Sequence, residues 1–195
     1  MLSPTDTLRR TFRWLRRFRH RKGYGIHSPF AFEFVTGVVY GHDGEGALPL
    51  PPGCESEAGA ALRPKDMRLL IRLIRHRQPS ICVVWGWGKG SAPALALRTG
   101  SPGTQYIYRK MNEIPAQADM VVAAPGWEAE ARSLPRALRD GGMLVVCALD
   151  TPAQRRAWSV VGQQRQAVVT FDLGDFGIAF NNSKLQRQHY IINYW

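Results

Sequence analysis

The chain has 195 residues, of which 45% are hydrophobic, so it is long enough for one domain with a substantial core. This composition excludes a wholly disordered chain, and no apolar run reaches the ~18 residues that a membrane-spanning helix needs. The net charge is +11, and residues 1–25 contribute +7 of it, from eight basic side chains and one acidic one. We therefore expect contacts with acidic partners to be made mainly by the N-terminal segment.

Within this segment, residues 8–22 have the pattern of a basic amphipathic helix. Leu8, Phe12, Leu15 and Phe18 recur at helical spacing, and arginines fill most positions between them. Three interpretations stay open. The helix packs on its own domain, it engages nucleic acid phosphates or an acidic protein, or it lies on an anionic membrane surface.

A second helix is predicted over residues 29–39, because Ser28 suits the N-cap and Pro29 the first helical position. His27 precedes this cap and is either a candidate catalytic residue or a residue that ties down the helix entry. Residues 41–60 are rich in Gly, Pro, Glu and Ala and predict a loop. Helical order returns at Pro64. These changes divide the chain into helices over 1–40, a loop over 41–62 and an α/β domain over 63–195.

The stretch at residues 81–97 predicts a buried strand, a glycine turn and a helix. The strand stops at Trp85, and Gly86, Gly88 and Gly90 alternate before the helical residues begin. Glycine allows a backbone to approach a ligand closely, and the first N–H groups of the helix point at whatever lies in the crevice. Trp85 and Trp87 flank the turn, where one ring could stack on an adenine or both could cover the sheet edge.

Strands and helices alternate beyond this turn. Strands are predicted at 106–108, 120–124 and 143–149, a helix interrupted by Pro135 at 127–138, and a helix starting at the Thr151 cap. Residues 167–173 and 176–180 then predict an antiparallel hairpin, and residues 188–194 one more strand. This order indicates a mostly parallel sheet with an antiparallel pair near one edge.

Cysteine usage indicates a reducing setting. Cys54, Cys82 and Cys147 lack metal-type spacing, and two of them fall inside predicted strands, where a thiol behaves as a small hydrophobe. With no secretory signal pattern at the N-terminus, we expect a cytoplasmic protein.

These features together resemble the class I S-adenosylmethionine (SAM)-dependent methyltransferases. The resemblance rests on the turn at Gly86, Gly88 and Gly90, on the segment 134–146, and on the hairpin 171–180, which is similar to that of small-molecule O-methyltransferases. The segment around His27, Ser28, Pro29 and Phe30 resembles the opening of one bacterial subgroup. The resemblance implies a Rossmann-like fold with SAM bound by Gly86, Trp87, Gly88, Lys89, Gly90 and Tyr108.

The sequence departs from this family where acidic side chains are expected. Val84 stands two residues before the first glycine, Tyr108, Arg109 and Lys110 end the second strand, and Ala123 and Ala124 end the third. The metal-binding acids of cation-dependent members map onto Val146 and Cys147, so the resemblance implies no metal. Asp150 is the nearby carboxylate and, with His27, a candidate catalytic base.

Spacing predicts one further departure. Only about ten residues separate Tyr108 from the strand that begins near Met120, too few for a helix, a strand and another helix. We therefore expect the fold to lack one βα unit.

The sequence leaves two functions open. One is a methyltransferase in which the acceptor is oriented beside the methyl group without a metal. The other is a non-catalytic binding module of the same fold, whose basic N-terminal helix engages RNA, an acidic protein or a membrane surface.

Overall fold

The computed structural model describes residues 25–41, 49–51, 62–109 and 117–194. The helices are α1 (Pro29–Phe34), α2 (Pro64–Arg77), α3 (Ala92–Gly100) and α4 (Pro152–Gln163). The strands are β1 (Ile81–Trp85), β2 (Gln105–Arg109), β3 (Ala118–Ala123), β4 (Leu138–Cys147), β5 (Val169–Asp172), β6 (Phe176–Phe180) and β7 (Gln188–Ile191).

The strands form one sheet in the order β2-β1-β3-β4-β6-β5-β7. All neighbouring pairs are parallel except β4–β6 and β5–β6, because β6 returns through the short turn that follows Asp172. The predicted Rossmann-like fold with a C-terminal antiparallel hairpin is therefore confirmed. In the described part of the chain β2 is an edge strand, and residues 110–117 are too few to return through another βα unit.

Apolar side chains cover both faces of the sheet, as a parallel sheet between helices requires. The first face packs against α1, α2 and α3, and its buried strand residues include Val84, Val122 and Val145. The second face includes Val83, Val121 and Leu144 and packs against α4 and the turns that follow β3. Alternate residues of each strand therefore belong to opposite cores.

Helices α1 and α2 lie on the first face in opposite directions. Ser28 caps α1 by accepting a hydrogen bond from the Ala31 N–H, as predicted, but the last turn is a π-helix, Val35–Val39, instead of a continuing α-helix. The Arg72 guanidinium of α2 donates to the Val38 carbonyl (2.8 Å) and to the Val39 carbonyl (3.2 Å). These bonds satisfy carbonyl groups that the helix end leaves without partners.

The prediction of a helix over 127–138 is wrong. Two short 3₁₀ turns, Trp127–Glu130 and Leu134–Ala137, replace it, and β4 already begins at Leu138. Pro135 supplies no N–H to a helix, and Leu138 pairs instead with Ala118 of β3. In place of the strand predicted at 143–149, β4 runs from Leu138 to Cys147, with an irregularity in the pairing before Met143.

Cys82 and Cys147 are buried free thiols, as the sequence predicts, and burial raises the pKa of both. No helix in the described ranges combines the length and the hydrophobicity of a membrane span.

Candidate functional site

The turn that follows β1 lies at the carboxyl end of the sheet, where open α/β proteins bind their ligands. The Gly86 N–H donates to the Arg109 carbonyl (3.2 Å), which joins the turn to the end of β2. Gly86 alone of the three predicted glycines has a positive φ, +81°, whereas space is open around Gly88 and Gly90. Ser91 closes the turn, because its N–H and its hydroxyl both donate to the Gly88 carbonyl (3.0 and 2.8 Å).

The aromatic residues near this turn belong mainly to the two cores. Trp85 is 2% exposed in the second core, so its ring cannot stack on a ligand in the crevice. Trp87 is half-buried and packs against the first core. Tyr108 lies against the same core with its ring stacked on Tyr106 (6.5 Å between centroids), and burial raises the pKa of Tyr108. Of the predicted cofactor-binding side chains, Lys89 is exposed.

Asp150 follows β4 at the same carboxyl edge and is exposed. Its backbone N–H and that of Thr151 donate to Gln154 Oε1 (2.9 and 3.0 Å), and Thr151 caps α4 as predicted. Beneath it the buried Trp127 donates its indole N–H to the Cys147 carbonyl (3.0 Å), which holds the end of β4. Strand β3 lies between β4 and β1, so Asp150 is two strand positions away from the glycine turn.

His27 lies at the opposite end of the sheet. The Phe30 ring meets Phe180 edge-on at 5.1 Å, and Phe180 pairs with Met143 near the amino ends of the parallel strands. From there α1 runs toward the carboxyl edge, so His27, which precedes it, lies beyond the amino edge. Met143 and Cys147 alone are ~13 Å apart at ~3.3 Å per residue, so the structure does not bring His27 and Asp150 together.

A charged cluster at the carboxyl edge was not predicted from the sequence. Arg63, at the start of α2, donates to the carboxylates of Asp66 (2.7 Å) and Asp175, which lies in the turn between β5 and β6. Asp66 is 3% exposed. Burial lowers the pKa of Arg63, but the two carboxylates that surround its guanidinium together outweigh burial and raise the pKa overall. The contact of Arg63 with Asp66 is local, because Asp66 occupies position N3 of α2. The contact of Arg63 with Asp175 joins residues that are 112 positions apart in the sequence.

This cluster ties α2 to the hairpin by charge-assisted hydrogen bonds. Next to it the Tyr194 hydroxyl donates to the Lys65 carbonyl (3.1 Å), and the Tyr40 hydroxyl donates to the Asn193 carbonyl (2.5 Å). The part of the carboxyl edge beside the hairpin is therefore occupied by paired groups. Within the described residues, no three His, Cys, Asp or Glu side chains are grouped as possible metal ligands.

The described residues around the glycine turn offer SAM no carboxylate. A carboxylate would bind both ribose hydroxyls of such a cofactor by charge-assisted hydrogen bonds, but β2 ends in Tyr108 and Arg109. The sulfonium of SAM is a cation, so Lys89 and Arg109 make the crevice electrostatically less favourable. The space beside Gly86 is also occupied by the protein itself, because a Cβ on Gly86 would lie 2.9 Å from the Ala124 Cβ.

Comparison with known proteins gives likenesses in structure alone. The sequence matches no protein-family model, and no curated protein is significantly similar to it. The fold is similar to that of the O-methyltransferase TomG from Streptomyces achromogenes, solved in complex with SAM, with a TM-score of 0.45 and 15% identity over 68% of this chain and 83% of that one.

A second similar structure is the release factor-specific protein-(glutamine-N5) methyltransferase from Alicyclobacillus acidocaldarius. Its TM-score is 0.47 with 14% identity, over 69% of this chain and 99% of that one. Likenesses this distant do not identify a cofactor or a substrate for this chain, so function has to be argued from its own residues.

Proposed function

We propose that this chain is a methyltransferase-like protein that does not use SAM and acts as a non-catalytic binding module. The observation that carries the proposal is the set of residues at the carboxyl ends of β1, β2 and β3. Val84 precedes the turn, Arg109 ends β2, and Ala123 and Ala124 end β3, so none of these ends supplies a carboxylate. The two candidate bases, His27 and Asp150, lie at opposite ends of the sheet.

A calorimetric titration with SAM tests the first half of this proposal. We expect no binding tighter than the millimolar range, because the sulfonium meets basic side chains and the ribose finds no carboxylate. S-adenosylhomocysteine lacks the sulfonium charge and serves as the matched probe, and we expect it to bind no more weakly than SAM. A submicromolar affinity for SAM, about −8 kcal/mol or better, would overturn the proposal.

The binding activity is assigned to the basic N-terminal segment, whose structure lies outside the described residues. The support is its charge, since residues 8–22 carry most of the excess basicity of a chain with net charge +11. Nucleic acid is the partner that this charge suits best, because each phosphate that an arginine neutralises releases a condensed counterion. An acidic protein and an anionic membrane remain competing partners.

A variant with reduced charge tests this assignment without removing the apolar stripe. It changes Arg9, Arg10, Arg13, Arg16 and Arg17 to Gln. The control variant changes five exposed arginines of the α/β domain to Gln: Arg75, Arg132, Arg136, Arg156 and Arg165.

We expect the N-terminal variant to lose most retention of single-stranded RNA, and its salt dependence to flatten by ~0.7 in log–log slope for each phosphate that is no longer neutralised. The control variant should retain the RNA. If the control variant loses binding instead, the surface of the α/β domain binds the RNA. Binding of anionic vesicles but not RNA by the intact chain would assign the segment to membranes.

A further inference from the structure

We propose that the outer edge of β7 and the groove beside it form a docking site for an extended, acidic peptide strand of a partner protein. The groove lies between α4 and the last strands of the sheet and has a volume of about 340 Å³. The residues used below are Trp158, Gly162, Thr170, His189 and Ile191, all in its lining. The proposal concerns a different surface from the proposed function and stands independently of it.

Among the described residues, only one side of the β7 backbone forms hydrogen bonds with a neighbouring strand. The Gln188 N–H donates to the Val168 carbonyl (2.9 Å) and the Ile192 N–H to the Asp172 carbonyl (2.8 Å), both on the side of β5. Successive residues of a strand direct their N–H and C=O groups to opposite sides, so those of His189 and Ile191 point away from β5. No strand in the described part of the chain pairs with this side. Such an edge is a template for strand addition.

This edge lacks the devices that usually protect edge strands. No lysine, proline or bulge interrupts β7. Ile191 is 47% exposed, and only one other large hydrophobic residue in the described ranges, Phe32, is comparably exposed. The Ile191 side chain lies on the groove side of the sheet, where an added strand would cover it.

The walls of the groove are already fixed. The imidazole of His189 lies over Gly162, where a Cβ would be 3.5 Å from its Cε1, and its Nδ1 bonds to the Thr170 hydroxyl at 2.6 Å. The Trp158 ring packs so closely on Gly177 that a Cβ at Gly177 would lie 2.7 Å from it. Because these side chains are held in place, binding would order few new groups.

Charge favours an acidic peptide over a second copy of this chain. The acid of the groove, Asp172, is paired with Arg155 (3.1 Å). Arg187 lies next to the groove, because its guanidinium donates to the carbonyl of Gly162 in the lining (2.8 Å) and to that of Gln164 (3.0 Å). Both carbonyl groups are neutral, so the charge of Arg187 is left for a ligand. Two copies of a chain with net charge +11 would repel each other, whereas an acidic strand would be attracted.

The probe is a labelled peptide in which glutamate and valine alternate, titrated against the full chain by fluorescence anisotropy. We expect it to bind, and a peptide of alternating lysine and valine to bind at least about tenfold more weakly. Hydrogen exchange should slow at the His189 and Ile191 amides and stay unchanged at Gln188, which already donates to β5. Absence of binding, or equal binding of the lysine peptide, would overturn the proposal.

Two N-methylated versions of the glutamate peptide separate strand pairing from side-chain contact. Each carries methyl groups on one alternate set of amides, and only the set that faces β7 donates hydrogen bonds to it. We expect one version to lose binding and the other to keep it. Equal binding of both would show that the groove takes side chains or small molecules without strand addition, and would contradict the proposal.

A substitution in the protein tests whether the peptide binds at β7. Ile191→Glu puts a like charge on the exposed edge, and we expect it to lower the affinity at least about tenfold. Phe32→Glu is the matched control on α1 and should bind as the unmodified chain does. Equal loss in both variants contradicts the assignment to β7. Protection of the His189 and Ile191 amides that rises with protein concentration, without peptide, would show that a second copy occupies the edge.

Discussion

Gly86 and Ala124 are in contact across the carboxyl ends of β1 and β3. A Cβ on Gly86 would lie 2.9 Å from the Ala124 Cβ, closer than side chains approach in folded proteins. A hydrogen bond from the Ala124 N–H to the Trp85 carbonyl (2.9 Å) holds the two strand ends together at this point. Gly86 therefore serves the packing of the sheet, while Gly88 and Gly90 are free of this constraint.

This difference predicts unequal effects of alanine substitutions in the turn. Gly86→Ala combines a positive φ with a clash, so we expect it to lower the free energy of unfolding by about 2 kcal/mol or more. Gly88→Ala is the matched control and should cost less than about 1 kcal/mol, because its φ is not positive and its surroundings are open. Thermal unfolding measures both, with ~2–4 °C expected per kcal/mol. Equal costs would contradict this account of the turn.

A second prediction concerns the buried carboxylate of Asp119 at the amino edge. Its Oδ2 accepts from the Ile81 N–H (2.8 Å), and its Oδ1 is paired with Arg139 and lies 3.9 Å from Arg77 Nη2. Asp119→Ala leaves the Ile81 N–H without this acceptor and should cost ~2–3 kcal/mol. Asp119→Asn keeps a carbonyl acceptor but loses the charge, so we expect a cost of ~1 kcal/mol.

Denaturant unfolding of the two Asp119 variants gives the comparison. The order of the two costs is the decisive result, because it separates the backbone hydrogen bond from the ion pairs. If Asp119→Asn costs as much as Asp119→Ala, charge dominates at this site and the role given to the Ile81 bond is wrong.

Local chemistry made much of the fold predictable from the sequence. Ser28 and Thr151 cap the helices for which they were predicted, and the hairpin follows its turn residues. The helix over 127–138 failed for a tertiary reason. Trp127 has the spacing of a helical stripe, but its indole N–H is used at the Cys147 carbonyl, 20 residues away, and the chain turns tightly to place it there.

The candidate site was predictable only in part. The glycine turn and Asp150 lie at one edge of the sheet because parallel strands share a direction, and sequence order is enough to predict that. The position of His27 depends on the direction of α1 across the sheet, which its own residues do not encode. The contact between Arg63 and Asp175 joins distant segments whose pairing depends on the whole sheet order.

Tyr194 predicts a loss of stability at alkaline pH. Burial, opposed by the nearby Arg72, raises the pKa of Tyr194 to about 12, above the ~10 of an unfolded tyrosine. A raised pKa means that the folded state holds the proton more tightly. The stabilisation is therefore complete below about pH 10 and is lost as the pH rises through about 12.

The matched variant is Tyr194→Phe, which keeps the ring below Lys65 (4.3 Å from Nζ to the centroid) and removes the titrating hydroxyl. We expect its free energy of unfolding to fall less steeply than that of the unmodified chain between about pH 10 and 12. Denaturant unfolding at several pH values, with phenolate absorbance followed in parallel, measures the difference. Identical slopes for the two proteins would show that Tyr194 titrates as it does in the unfolded chain.

The last prediction concerns Gly177 of β6 and the groove wall that it supports. A Cβ at this position would lie 2.7 Å from two ring atoms of Trp158 and 2.8 Å from Val146 Cγ2. The indole therefore rests directly on the backbone of β6. Gly177→Ala should cost ~1–3 kcal/mol, because a well-packed core yields to an added methyl group only by displacing its neighbours.

Replacing Trp158 as well should relieve most of this clash. We expect Trp158→Leu to be destabilising alone, because it empties space over Gly177, and the double variant with Gly177→Ala to be more stable than the sum of the single costs predicts. A coupling of ~1 kcal/mol or more in this double-mutant cycle would establish the contact. Additive costs would mean that Val146 alone sets the limit at Gly177, and that the Trp158 ring moves aside freely, which a fixed groove wall cannot do.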